Sequence, residues 1–162
     1  MKKISVIACL ISMPLLFLAC GGGDTKTPAA EPTASEEPTP APTVEDYDPT
    51  RGEGKFDASN VTLGALDKSM AEKGKVVAET KCMSCHKVSD ERLVGPGWKG
   101  VTERRTAHWI MNFITNPDPM IDKDPEVQTQ LELCLVRMPN QNLADEEARN
   151  ILEFMRQNDG VQ

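Results

Sequence analysis

The sequence Cys82-Met83-Ser84-Cys85-His86 constrains what this chain can fold into more than any other feature. Two thiols three residues apart, followed at once by an imidazole, form the signature of covalent haem attachment. Each thiol can add to one vinyl group of the haem, and the histidine can then bind the iron. We therefore expect one haem c, held by Cys82, Cys85 and His86.

Three other interpretations of this motif are open. A thioredoxin-type redox site also uses Cys-x-x-Cys, but it requires a strand–helix context that this sequence lacks. A zinc site could combine the two motif cysteines with His86 or Cys134, although a second pair of residues at zinc-ligand spacing is missing. A structural disulfide between Cys82 and Cys85 would leave the adjacent histidine unexplained.

The N-terminus has the layout of an export signal. Two lysines precede an almost wholly apolar run that ends at Ala19, and Cys20 follows directly. This junction resembles a bacterial lipobox, although Phe17 stands where that pattern prefers Leu. We predict a lipoprotein signal peptide over residues 1–19 and a lipid on Cys20 that anchors the protein to a membrane, in the periplasm or cell envelope. The alternatives are an ordinary cleaved signal and an uncleaved anchor, for which the apolar run is shorter than the ~20 residues that a bilayer requires.

Residues 20–57 have the composition of a disordered linker. Between Gly21 and Thr50 there are six prolines, seven acidic residues and one basic residue, and large apolar residues are nearly absent. Such a segment cannot bury enough surface to offset the entropy of ordering, and its prolines favour extended stretches of about 3.1 Å per residue. We expect it to hold a folded domain, residues 58–162, away from the membrane.

This domain is predicted to be all-α, because apolar residues recur at helical spacing and no alternating strand pattern is evident. Start and stop signals suggest where the helices lie. Acidic residues in the first turn of the last helix suit the helix dipole. The predicted helices run from Asp67 or Ser69 to about Lys81, from Thr106 to before Asn116-Pro117, from Asp124-Pro125 to about Leu135, and from about Ala144 onward.

From about residue 67 to residue 155 the chain resembles the class I monohaem cytochromes c. The matching features are a helix that ends in the haem motif, the stretch Val94-Gly95-Pro96, a late Met138-Pro139-Asn140 and a last helix that starts with acids. The resemblance implies a small helical domain around one covalent haem. It also implies that the Pro96 carbonyl accepts the free N–H of the proximal His86 and fixes the ring.

The same resemblance implies a close crossing of the first and last helices, where a small residue lies near an aromatic one. Gly74 and Phe154 are the candidates for this contact. The chain departs from the family at Ala144, where a Ser or Thr cap is common, so we expect the start of the last helix to fray.

Met138 is predicted to be the second axial ligand, since an electron-transfer haem usually takes Met or His in that position. It directly precedes the last helix, as the ligand methionine does in the resembled family, and Pro139 restricts its backbone. Two alternatives remain. Met120 also lies on a proline-rich loop, and His108 would give bis-histidine ligation.

Four further residues carry less specific expectations. Trp98 is expected to pack in the haem pocket, and its indole N–H could bind a haem propionate. Arg104 and Arg105 are other propionate candidates, with a solvated surface position as the alternative. Cys134 is expected to be a buried free cysteine, although third-thiol chemistry and dimer formation stay open.

Together these features predict an electron carrier that transforms no substrate. The run from Glu91 to Val101, together with 138–142, is similar to small cytochromes that accompany nitrous oxide reductase systems. We expect a quinol-oxidising complex as electron donor and a terminal reductase, nitrous oxide reductase among them, or an oxidase as acceptor. The net charge of −7 disfavours nucleic acid as a partner. A haem-based peroxidase or gas sensor with a labile sixth ligand is the alternative function.

Overall fold

The computed structural model of the protein describes residues 47–162, which form six α-helices joined by loops. No strand occurs in this range, so the all-α prediction is confirmed for the residues described. Within the same range, no helix is both long enough and apolar enough to cross a bilayer. The predicted signal peptide, Cys20 and residues 21–46 lie outside it. The helices are α1 (Lys68–Lys81), α2 (Val101–Arg104), α3 (Ala107–Thr115), α4 (Pro117–Lys123), α5 (Pro125–Cys134) and α6 (Asp145–Asn158).

Three helices begin at a side-chain cap, as the sequence predicts. The Asp67 carboxylate accepts the N–H of Met70 at the start of α1 (3.0 Å). Thr106 caps α3 through its hydroxyl oxygen, and Asp124 caps α5 through its carboxylate. In each case a side-chain oxygen satisfies N–H groups that have no partner within the helix.

Two short helices, α2 and α4, are missing from the prediction, which treats the stretch around Met120 as a loop. α4 starts at Pro117, and proline is favoured at the first helical position because its missing N–H has no helical partner there. The two prolines near Met120 were therefore misleading as evidence for a loop, because one of them begins a helix. α2 is a single turn that follows Gly100 in a left-handed conformation (φ 73°).

α6 begins after Ala144, which has no side-chain acceptor for a cap. Glu147 compensates, because its carboxylate accepts the backbone N–H of Ala144 (2.9 Å). The same carboxylate pairs with Lys81 at the end of α1 (3.1 Å). These contacts oppose the fraying expected from the missing cap and tie the first turn of α6 to α1.

α1 and α6 cross at Gly74. A Cβ atom there would clash with the carbonyl group of Asn150 and lie 2.8 Å from the amide nitrogen of Ile151. Only glycine lets two helix backbones approach this closely. Gly74 thus lies in the close crossing that the resemblance implies, whereas Phe154 packs edge-on against Trp98, with 6.4 Å between ring centroids.

Residues 47–61 form a strap that packs along α3. Residues 47–57 belong to the linker in the sequence-based prediction, but Phe56 is buried in the core. The buried Asn112 of α3 accepts the N–H of Phe56 (2.9 Å) and donates to the carbonyls of Phe56 (2.9 Å) and Arg51 (3.0 Å). The packed domain therefore extends to residue 47, upstream of the predicted boundary, because a distant helix supplies the polar groups that order this segment.

A buried ion cluster fixes the chain between the strap and α1. Glu153 of α6 is fully buried, and both of its oxygens accept hydrogen bonds from Arg156 (2.8 and 2.7 Å). Arg149 pairs with the same carboxylate. Arg156 also donates to the carbonyl of Gly64 (2.7 Å), so the cluster holds residues 62–67 against α6.

Candidate functional site

One cavity of about 320 Å³ opens between the end of α1, the loop at 94–98, helices α3 and α5, and the segment before α6. Its volume falls in the range of about 300–1,000 Å³ that is usual for cofactor sites. All six predicted site residues border this one cavity: Cys82, Cys85, His86, Pro96, Trp98 and Met138. Most of the remaining wall is apolar, with contributions from Val94, Ile110, Phe113, Ile114, Leu131, Ile151 and Met155.

The cysteine motif lies in the tight turn that ends α1. The backbone N–H of Cys82 still donates to a helical carbonyl, and the N–H groups of Cys85 and His86 both donate to the carbonyl of Cys82 (3.0 Å each). This turn brings two thiols and an imidazole to the same cavity wall. Burial raises the pKa of the Cys82 thiol to about 11. The free thiol is thus protonated at neutral pH, unlike the attacking cysteine of thiol redox enzymes.

The alternative interpretations of the motif gain no support from its surroundings. Cys82, Cys85 and Cys134 are all free of disulfide bonds. Over residues 47–162, no group of three or more His, Cys, Asp and Glu side chains is arranged to hold a metal ion. Within residues 47–162 the structure thus contains neither a disulfide at these cysteines nor a cluster of zinc ligands.

His86 is held by the Pro96 carbonyl, with 2.8 Å between Nδ1 and the oxygen. A carbonyl can only accept, so Nδ1 carries the proton and Nε2 keeps its lone pair. Burial lowers the pKa of His86, and this effect outweighs the opposite effect of the Pro96 hydrogen bond. The ring is thus neutral at pH 7, as an imidazole ligand must be.

Gly95 and Gly97 allow the loop to approach the motif closely, and neither carries a specific role in the sequence-based prediction. A Cβ on Gly95 would clash with the His86 ring, lying 2.9 Å from Nδ1. A Cβ on Gly97 would clash with the backbone at Ser89 and Asp90. The amide of Gly95 also donates to the carbonyl of Cys85 (2.8 Å). Two glycines on either side of a proline are the sequence signal that could have revealed this close contact.

Met138 is half-buried and lines the cavity from the segment between α5 and α6. Its neighbour Arg137 donates to Asp122 (3.0 Å) and Asp118 (3.3 Å) of α4. These contacts tie the Met138 segment to the rest of the domain. Of the three candidates for the second ligand, Met138 is the one that lines the same cavity as His86.

The rival ligands lie elsewhere. Met120 is fully buried in the core beneath the strap, where a Cβ on Gly52 would lie 2.9 Å from its sulfur. His108 points to the strap, with its Nε2 3.4 Å from the carbonyl oxygen of Val61. Neither residue is among those that line the cavity.

The remaining predicted residues also border the cavity. Trp98 is buried, and its ring centroid lies 5.7 Å from that of His86. Arg104 and Arg105 both reach the cavity wall, and Arg105 lies over the Trp109 ring at 4.3 Å. Cys134 is half-buried at the same wall, so it is less enclosed than expected. The roles of these residues toward a bound group stay predictions.

Two free thiols, a neutral imidazole with an available Nε2 and a thioether thus converge on one mainly apolar cavity. This donor set suits a planar, largely apolar group that is attached through thioethers and carries an iron with two axial ligands. The residues present therefore fit the group that the motif predicts.

Comparisons with known proteins agree with this fit. The family model for cytochrome c matches residues 71–159. The solved cytochrome c from Rhodothermus marinus is 35% identical to this chain, with a TM-score of 0.60 and coverage of 64% of this chain and 90% of that one. An engineered cytochrome c from the same organism is 34% identical, with the same TM-score and coverage. The cytochrome c-553-like protein of Synechocystis sp. is 26% identical over 68 residues, or 40% of this chain. The chain spans 65% of the length of that Synechocystis relative.

Proposed function

Because the chain belongs to the cytochrome c family, its cofactor is a covalently bound haem c, and we propose that the protein carries single electrons through it. The observation that carries this proposal is the convergence of Cys82, Cys85, His86 and Met138 on one cavity. When bound, the haem supplies an iron that alternates between Fe(II) and Fe(III). No substrate is transformed in this proposal.

Each residue has a defined part in the proposal. Cys82 and Cys85 would hold the haem through two thioether bonds, and His86 and Met138 would bind its iron. Ligation by His and Met raises the reduction potential relative to other ligand sets. The Pro96 carbonyl orients His86 through Nδ1. The apolar wall limits access of water to the group, and this also favours the less charged ferrous state.

The protein is further proposed to work outside the cytoplasm, tethered to a membrane of the cell envelope. The sequence of residues 1–19 and Cys20 supports export and lipidation, and the proline- and acid-rich composition up to residue 46 supports a long, extended linker. Substituting Cys20→Ala should release the haem-loaded protein from the membrane fraction. A membrane-bound Cys20→Ala variant would contradict the lipid anchor.

The proposed partners are a quinol-oxidising complex as donor and a terminal reductase or oxidase as acceptor. The similarity of residues 91–101 and 138–142 to cytochromes of nitrous oxide reductase systems favours that reductase. The test is the rate at which the pre-reduced protein is oxidised by purified nitrous oxide reductase and by a terminal oxidase. Faster oxidation by the oxidase would redirect the assignment.

The axial ligand is tested by the absorption spectrum of the ferric, haem-loaded protein. A weak band in the red, from sulfur-to-iron charge transfer, is expected for the wild type. Met138→Leu should abolish this band, whereas the volume-matched control Met120→Leu should keep it. If the band survives in Met138→Leu, the ligand assignment is wrong.

A wild-type protein that lacks the band and readily binds added carbon monoxide would instead favour the peroxidase or gas-sensor function.

A further inference from the structure

The carboxylate of Asp124 is one of the most buried polar groups in the described part of the chain, with 1% of the residue exposed. One oxygen accepts the Tyr47 hydroxyl (2.6 Å) and the Trp109 indole N–H (2.8 Å). The other accepts the backbone N–H groups of Glu126 (2.9 Å) and Val127 (3.1 Å). Four neutral donors thus surround the carboxylate, which is more than capping α5 requires.

This carboxylate lies directly behind the wall of the haem cavity. Three of its four donor residues, Trp109, Glu126 and Val127, line that cavity. The fourth, Tyr47, belongs to the strap and is not among the residues that line the cavity. Arg105, which stacks on Trp109, forms its ion pair with Glu126 and not with Asp124. The buried carboxylate is therefore hydrogen-bonded but not paired with a cation.

We propose that Asp124 is a positioning residue that fixes a negative charge and the Trp109 indole behind the haem, and thereby lowers the reduction potential of the iron. This inference rests on the proposed electron-transfer function. Oxidation adds one positive charge to the haem, and a nearby anion in a medium of low dielectric constant stabilises that state. Hydrogen bonds from neutral donors orient the carboxylate without removing its charge.

The charge state of Asp124 agrees with this role. Burial alone would raise the pKa of this carboxyl, but the hydrogen bonds from Tyr47, Trp109 and the two backbone amides outweigh burial and hold the pKa below its usual range. Burial and the Asp124 carboxylate both raise the pKa of Tyr47, so its hydroxyl stays protonated and donates. The two groups therefore keep one negative charge between them at neutral pH.

Tyr47, which lies in the strap, weakens the electric field of the Asp124 carboxylate. Its O–H dipole points its positive end at the carboxylate and so partly offsets the field of Asp124. Removing that hydroxyl while keeping the ring should strengthen the field at the haem, whereas neutralising Asp124 should remove it. Substitutions at the two partners of one hydrogen bond are thus expected to move the potential in opposite directions.

The experiment is an equilibrium redox titration of the haem-loaded protein at pH 7. Asp124→Asn keeps the shape of the side chain and should raise the potential, so that the ratio of ferrous to ferric protein at a fixed potential increases roughly three- to tenfold. Tyr47→Phe should lower that ratio by a smaller factor. Glu132→Gln, an exposed carboxylate on the same helix α5, is the matched control and should leave the ratio unchanged, because solvent screens it.

The directions in which the two variants shift the reduction potential separate this proposal from a purely structural role of Asp124. If Asp124 only supports the fold, both variants loosen the cavity, admit water that favours the ferric state, and lower the potential together; that outcome overturns the proposal. If Asp124→Asn does not fold, Tyr47→Phe decides together with hydrogen exchange at the Trp109 indole N–H. A lower potential with unchanged exchange supports the proposal, whereas a lower potential with faster exchange, or an unchanged or higher potential, overturns it. A readout without redox chemistry is hydrogen exchange at the Trp109 indole N–H, which should accelerate in Asp124→Asn. A wild-type protein without a reversible one-electron couple would refute the proposed function itself.

Discussion

Leu135 ends α5 in the left-handed conformation, with φ 59° and ψ 15°. Residues other than glycine rarely adopt this backbone conformation, because their Cβ atom approaches the following carbonyl oxygen. Leu135 is also 83% exposed, so burial of its side chain does not offset the strain. Glycine is the usual residue at such a helix end.

We therefore predict that Leu135→Gly raises the free energy of unfolding by about 0.5–1 kcal/mol, after allowing for the greater freedom of glycine in the unfolded chain. Denaturant unfolding of the haem-loaded protein measures the change. Leu135→Ala is the control, because it keeps Cβ and hence the strain. An equal gain in both variants would show that removal of an exposed apolar side chain, and not strain, is responsible.

Gly95 is a second residue at which a single Cβ matters. Gly95→Ala would place a methyl group against the His86 ring, and the ring would have to move away from the Pro96 carbonyl. We predict weaker axial ligation, seen as a shifted Soret spectrum and a higher pH at which the low-spin signal is lost on acidification, because protons displace a weakly bound imidazole more easily. Gly64→Ala, where an added Cβ meets no atom within 4 Å, should behave as the wild type. A normal spectrum in Gly95→Ala would mean that the loop moves to accommodate the methyl group and that the His86 ring keeps its position.

At the scale of helices, the contact between α1 and α6 depends on Gly74. Replacing glycine by alanine inside a helix ordinarily stabilises it by about 0.5–1 kcal/mol. Here the new Cβ would meet the Asn150 carbonyl group, which is part of a helix backbone and cannot turn aside.

We therefore predict the opposite sign for Gly74→Ala, a loss of roughly 2–3 kcal/mol in the free energy of unfolding, as for other overpacked sites. Thermal and denaturant unfolding both report it. Val76→Ala on the exposed face of α1 should change stability by well under 1 kcal/mol. Stabilisation by Gly74→Ala would mean that the two helices lie farther apart than the structure places them.

Local signals in the sequence were sufficient to predict the start of those helices that are capped by a neighbouring side chain. Asp67, Thr106 and Asp124 each bond to backbone N–H groups two or three residues further on, so a short window contains both partners. The strap could not be predicted in this way. Its order depends on Asn112, which is 56 positions from Phe56 in the sequence, and the strap itself has few apolar residues. A prediction from composition therefore placed residues 47–57, which are packed, in the disordered linker.

The same distinction applies to the site. The haem motif occupies five consecutive residues, and the position of Met138 before the last helix could be compared with that in a known family. The glycines on either side of Pro96 signal a close approach at this loop, but the sequence does not show that the His86 ring is the group that Gly95 meets. The buried Asp124 network could not be predicted either, since it joins the strap, α3 and α5.

At the scale of the whole molecule, the Asp124 network should make stability depend on pH. The folded-state pKa of Asp124 lies below its usual value, which applies to the unfolded chain. Its contribution to stability is therefore complete above about pH 4 and is lost as the pH falls through the lower, folded-state pKa. Tyr47, Arg105 and Glu126 are the other titratable groups around it.

We predict that Asp124→Asn destabilises the haem-loaded protein at pH 7 and flattens the fall of its melting temperature between about pH 4 and pH 2. Melting curves of both proteins across this range test it. Glu132→Gln should keep the wild-type slope. A variant as steep as the wild type would mean that other carboxylates govern acid unfolding.

The crossing at Gly74 also bears on how the chain acquires its structure. The cysteines that receive the haem follow directly after α1, whereas α6, which α1 must contact, is the last helix to be synthesised. Contacts between segments so distant in sequence slow folding, because a long loop must close before they form. A newly made chain therefore presents Cys82 and Cys85 for attachment while α1 still lacks its partner. The haem can enter from an open side, and the arrival of α6 then completes the domain around it.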